Sequence, residues 1–167
     1  MGNNWKITDT LTKVFADEVP DGQGSIRLST LHRETVSCVI AYFGTADWGR
    51  YWKVSVKAPE KIETRLRRVE LVPSAYPCHK EQDDNYLRIV PGMYPDLLRD
   101  LDTEDDGADK KYLTKEVPGQ WRSLWLDVTV DAELAGGDYA IVIETETEDG
   151  EKETLKADLH VVDASLP

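Results

Sequence analysis

Apolar residues in this chain recur at every second position, and that period suits strands rather than helices. "SIRLSTLH" sets Ile26 and Leu28 against Arg27 and Ser29, and "YWKVSVKAP" sets Trp52, Val54 and Val56 against Lys53, Ser55 and Lys57. "ETVSCVIAYFG" is instead a continuous apolar run rich in β-branched residues, as a central strand would be. With "NYLRIVPG", "WLDVTV", "YAIVIETET" and "TLKADLHVVD", the pattern predicts about eight to ten strands separated by turn signals. In "TRLRRVELVP" the alternation starts at Leu66 and slips at Arg67-Arg68 before Val69 and Leu71, which suggests a bulge. "ETETEDGEKE" reads as a hairpin turning at Asp149-Gly150, and "PDGQGS" as a hairpin loop. The best helical candidate is "YPDLLRDLDTED", with Pro95 as first helical residue and Leu97, Leu98 and Leu101 behind it; an irregular loop or a single turn fits it equally. Strands and helices do not alternate, which argues against a parallel α/β sheet. The 167 residues also fall short of the ~250 typical of a (β/α)₈ barrel. The expected fold is all-β: one antiparallel two-sheet β-sandwich, jelly-roll or immunoglobulin-like, spanning residues 1–167 with little helix.

Charge narrows the function classes. The net charge is −12 and uneven: residues 1–95 hold 13 Lys+Arg against 12 Asp+Glu, and residues 96–167 hold 7 against 20. Such a balance opposes a phosphate backbone, so no nucleic-acid partner is expected. The basic run at Arg65 to Arg68 places Arg65 and Arg67 on one strand face, solvated or paired across strands. No apolar run reaches the roughly 20 residues of a membrane span, and no membrane partner is expected. The start lacks a basic segment followed by an apolar one, so a cytoplasmic location is expected, with an extracellular one left open if the natural start lies upstream.

Chemistry-bearing motifs are scarce. Cys38 reads as a buried strand residue and Cys78 as a loop residue beside His79, both free thiols. His32, His79 and His160 match no zinc spacing, and no nucleophile elbow, P-loop or dinucleotide fingerprint is present. Asp102, Glu104, Asp106 and Gly107 fall at positions one, three, five and six of a calcium loop, but Lys110 and Leu113 stand at positions nine and twelve. A solvated loop is the expectation, with no metal and no cofactor. Glu144, Glu146 and Glu148 line one solvated face, a poor place to raise a carboxyl pKa.

The stretch "WRSLWLDVTVDAELAGGDYAIVIET" is the most informative. Alternation puts Leu124, Leu126, Val128 and Val130 on one face, and Trp121, Ser123, Trp125, Asp127 and Thr129 on the other. Tyr139, Ile141 and Ile143 share a face of the next strand, and Gly136 and Gly137 permit positive φ between the two. On the mixed face Trp121 and Trp125, like Trp48 elsewhere, suit sugar stacking, plugging of a sandwich edge, or docking on another domain; packing is the commoner role of a strand tryptophan.

In this stretch and several others the chain resembles the N-terminal domain of glycoside hydrolase family 123 and its uncharacterised relatives. "STLHRETVSCVIAY" is similar to a family strand carrying an Arg-x-Glu element, here Arg33-Glu34. "RVELVPSAYP" resembles the next strand, and "PGMYPDLL", with Tyr94, Pro95 and Asp96, resembles its Pro-Asp-Pro-Leu segment. Gly137, Asp138 and Tyr139 supply a Gly-x-Tyr element. Leu97 replaces a proline of the pattern, and Asp131 and Gly136 stand where its loop prolines usually are. The resemblance implies a β-sandwich preceding a catalytic (β/α)₈ barrel that cleaves N-acetylgalactosaminides with substrate assistance and an Asp-Glu pair. That barrel is expected after residue 167, beyond the linker-like "VVDASLP". No position here matches the pair, so the resemblance implies a non-catalytic accessory domain whose partner is the barrel of the same polypeptide. A self-sufficient carbohydrate-binding module and a structural interaction domain are the alternatives.

Overall fold

The alternating segments form eleven strands among the described residues (4–45, 50–78, 85–105 and 110–165) of a computed structural model. They are β1 (Trp5–Thr8), β2 (Ser25–His32), β3 (Thr35–Phe43), β4 (Tyr51–Lys57), β5 (Ile62–Ser74), β6 (Gly92–Asp100), β7 (Thr103–Asp105), β8 (Lys110–Lys115), β9 (Trp121–Val130), β10 (Gly137–Thr147) and β11 (Lys152–Ser165). One sheet has the order β1-β3-β9-β5-β6, the other β2-β11-β10-β4-β8-β7, and together they make an open β-sandwich. Every pairing is antiparallel except β2 with β11, a direction that alternation does not encode. The two very short strands, β1 and β7, take the number past the expected range. Among the described residues no helix is long and apolar enough to cross a membrane.

β9 lies at the centre of its sheet and supplies the inner row Leu124, Leu126, Val128 and Val130, all buried. Register sets Cys38 and Ile40 of β3 and Leu66 of β5 on the same face. Ile141 and Ile143 of β10, with Leu155 and Leu159 of β11, complete this core from the opposite sheet. At one end Trp5 stacks on Tyr42 at 4.8 Å and meets the edge of Trp52 at 5.1 Å.

The outer face of the five-stranded sheet is covered too. Val14 packs there against Val39, Ala41 and Trp121, and the Trp121 amide donates to the Ala16 carbonyl at 2.9 Å. β3 is therefore buried on both sides, which explains its unbroken apolar run. The same cover explains the slip in β5. Leu66 pairs with Leu126 and faces inward, whereas Val69 pairs with Ser123 and faces the covered outer side. No bulge is needed at Arg67-Arg68, where pairing with β9 is continuous. The irregularity lies opposite, in β6: Glu70 pairs with Leu97 and Leu71 with Pro95, leaving Asp96 as the extra residue.

β6 is also the segment that resembled a helix. Its leucine spacing suits a helical face, but the free edge of β5 supplies hydrogen-bond partners that an isolated short helix would lack. Pro95 is tolerated because β6 is an edge strand and the bulge adjoins it.

If the inner β9 row carries the core, Leu126→Ala should cost about 2–5 kcal/mol. The measurement is a urea transition, with a lower midpoint at unchanged slope; a loss under about 1 kcal/mol would show that the row is not the core.

Candidate functional site

The residues singled out by the family resemblance close turns and loops. Arg33 adopts φ 61° between β2 and β3, where the chain passes from one sheet to the other. The Glu34 carboxylate accepts from the Leu31 amide at 2.8 Å and from the Thr30 hydroxyl at 3.1 Å, pinning that turn. The Tyr139 hydroxyl donates to the Ala135 carbonyl at 2.7 Å and ties down the loop before β10. Gly137 has φ 149°, while Gly136 serves a close approach: a Cβ there would lie 2.9 Å from that of Asp163. Of the two glycines that permit positive φ, only Gly137 adopts it. The Tyr94 hydroxyl donates to the Val90 carbonyl at 2.6 Å, and its ring meets Phe15 edge-on at 5.7 Å.

The outer face of the five-stranded sheet gathers the remaining candidates. Trp121 is only 7% exposed, beneath Phe43 and Val14, so its ring is used in packing rather than offered to a ligand. Trp125 is half-buried at the margin of that cover. Its indole N–H donates to Asp127 Oδ1 at 2.7 Å, the same oxygen that Ser37 reaches at 2.7 Å, while Arg67 donates to Oδ2 at 2.5 Å. Burial pushes the Asp127 carboxyl up, but these hydrogen bonds and the Arg67 charge outweigh it and hold the group below the usual carboxylate range. Arg65 pairs with Asp100 at 2.8 Å, so both arginines are paired across strands.

Two depressions follow. One, of about 220 Å³, lies between Trp125, the segment at 10–14 and the Pro95-Asp96 corner of β6. The second, of about 530 Å³, continues past Lys13, Pro95 and Asp96 to Phe15, Tyr86 and Tyr94. The structure thus joins Trp125 with Pro95, Asp96 and Tyr94 along one stretch of surface. Arg33, Glu34, Gly137 and Tyr139 contribute nothing to it. Trp48, His79, Asp106 and Gly107 lie outside the described residues.

No catalytic constellation emerges among the described residues. They contain no group of three or more His, Cys, Asp or Glu able to hold a metal. Glu104 pairs instead with Lys53 at 2.8 Å. Burial, with the Asp127 charge nearby, pushes the Cys38 thiol up to about 12, so it is protonated and unreactive at neutral pH. A buried polar cluster at the sandwich end went unforeseen: Trp52 Nε1 donates to Glu116, and Tyr42 shares a 2.7 Å bond with Thr114. Its residues are far apart in sequence and carry no motif.

No family model matches the chain, and no curated protein does. Solved structures do. A family 123 glycoside hydrolase from Clostridium perfringens, described in a study of glycolipid glycan hydrolysis, is 10% identical with a TM-score of 0.66. That match covers 98% of this chain but 28% of the hydrolase, so this chain spans little more than a quarter of its length. The N-terminal domain of PorA is 7% identical over 96% of this chain and 99% of its own, with a TM-score of 0.46. The C-terminal domain of the Streptococcus agalactiae polypeptide BspA is 14% identical over 94% of this chain and 49% of its own, with a TM-score of 0.45. At 10% identity, the likeness to the hydrolase is a distant one of β-sandwich fold.

The Asp127 hub sets a pH dependence. A depressed carboxyl pKa stabilises the fold above the unfolded value and loses that contribution as pH falls through the folded one. Asp127→Asn should cost about 1–2 kcal/mol at pH 7, with the gap to the parent shrinking below about pH 4. Urea titrations at pH 7 and pH 3 check this; an equal gap at both would contradict it.

Proposed function

We propose that this chain is a non-catalytic accessory β-sandwich of a glycoside-hydrolase-like protein, similar to the domain that precedes the barrel in family 123. In this reading it packs on a catalytic barrel of the same polypeptide, stabilises it and flanks its substrate cleft. The observation that carries the reading is an exposed apolar surface on β6 and the stretch before it. Tyr86, Leu87, Ile89, Val90, Met93 and Leu97 are all exposed, Leu87 at 75%. Six large apolar side chains left exposed within twelve residues of chain favour an association surface over a solvated one. A folded domain is the occupant proposed, because the hydrolase whose fold this chain shares over 98% of its residues is more than three times its length.

The proposal predicts that the purified chain releases no p-nitrophenol from p-nitrophenyl N-acetyl-β-galactosaminide; release above background would overturn it. It also predicts that Leu87→Ser changes stability by less than about 0.5 kcal/mol, as at an uninvolved surface site. A larger loss would mean that Leu87 serves this fold rather than a partner.

A further inference from the structure

Beside Trp125 the outer face is not level. Register places Val39, Trp125 and Arg67 in one cross-strand row, and Ala41, Ser123, Val69 and Leu98 in the next. Ser123 and Val69 of the second row are shorter than the indole, which stands beside them as a wall. The segment at 10–14 forms the facing wall, and the β6 bulge closes the third side at Asp96. These walls enclose the 220 Å³ groove.

Thr12 on its wall is bonded to Thr8 and Asp9, but three other polar groups are unspent. Ser123 is only 3% exposed and lines the groove, yet among the described residues its hydroxyl has no hydrogen-bond partner. Among those residues the Asp96 carboxylate and the Lys13 ammonium, on the rim, also make no hydrogen bond or ion pair. The Trp125 indole, by contrast, is locked in orientation by its bond to Asp127. A fixed aromatic wall with Val69 beside it, ringed by an unpaired acceptor, an unpaired cation and a buried hydroxyl, complements a molecule with one apolar face and hydroxyls around its edge.

We infer that the Trp125–Ser123–Asp96 groove is a binding site for a single pyranose ring. The ring's C–H face lies against Trp125, and its hydroxyls bond Asp96, Ser123 and Lys13. The site is independent of the packing role: it needs only this chain, and it adjoins the exposed apolar surface without using it.

The test titrates the ¹⁵N-labelled chain with the methyl β-glycosides of galactose, glucose, N-acetylgalactosamine and N-acetylglucosamine. With at least one of them, the Trp125 indole N–H and the Ser123 amide should shift saturably with a dissociation constant in the millimolar range. Asp96→Asn and Trp125→Ala should each weaken binding about tenfold or more, equivalent to 1.4 kcal/mol. Asp96 is exposed at a bulge, so its variant keeps the fold if the Trp125 variant does not. No saturable shift with any of the four, shifts confined to other residues, or binding indifferent to Asp96→Asn would each overturn the site. A chain that binds no glycoside leaves the accessory reading standing. A chain that hydrolyses the chromogenic substrate removes that reading and leaves this site standing.

Discussion

The structure depends on the burial of one central strand. β9 contributes a Leu/Val row to the space between the sheets, and its opposite face is partly roofed by the chain's own residues 12–16. Burial of this kind, at about 25 cal/mol per Å² of apolar surface, is the main favourable term in folding. Once β9 is fixed, β3 and β5 are fixed by register on either side, and β1 and β6 become the edges. The roof is incomplete, and where it stops, at Trp125, the surface changes from packed to grooved.

Side-chain hydrogen bonds hold the connections that burial leaves free. Glu34 pins the passage from β2 to β3, Tyr139 the loop before β10, and Tyr94 the stretch before β6. Each satisfies a backbone group that strand pairing does not reach. The observed work of these residues is structural. The paired charges around Asp127 belong to the same class, since they join three strands and orient an indole without forming a reactive centre.

The inner faces were legible in the sequence because alternation reports directly which side is dry. The rows of β4, β9 and β10 stand where the pattern put them. The outer cover was less legible, because its apolar content is little more than Val14 and Phe15 in a polar stretch. Missing it turned a change of face at Val69 into an apparent bulge. β6 misled for a different reason: Leu97, Leu98 and Leu101 fit a helical spacing, but the open edge of β5 draws Leu97 and Leu98 into a strand that ends before Leu101. The groove could not be foreseen at all, because Ser123, Asp96 and Lys13 meet only after four separate segments have packed.

The central claim is that β3, covered on both faces, and the inner row of β9 carry the fold while β6 is a thinly held edge. Amide hydrogen exchange tests it most directly. The amides of Cys38–Ala41 and Leu124–Val128 should exchange only through global unfolding, while those of β6 exchange through local opening at much lower free energy. Equal protection across β6 and β9, or fast exchange in β3, would contradict the account.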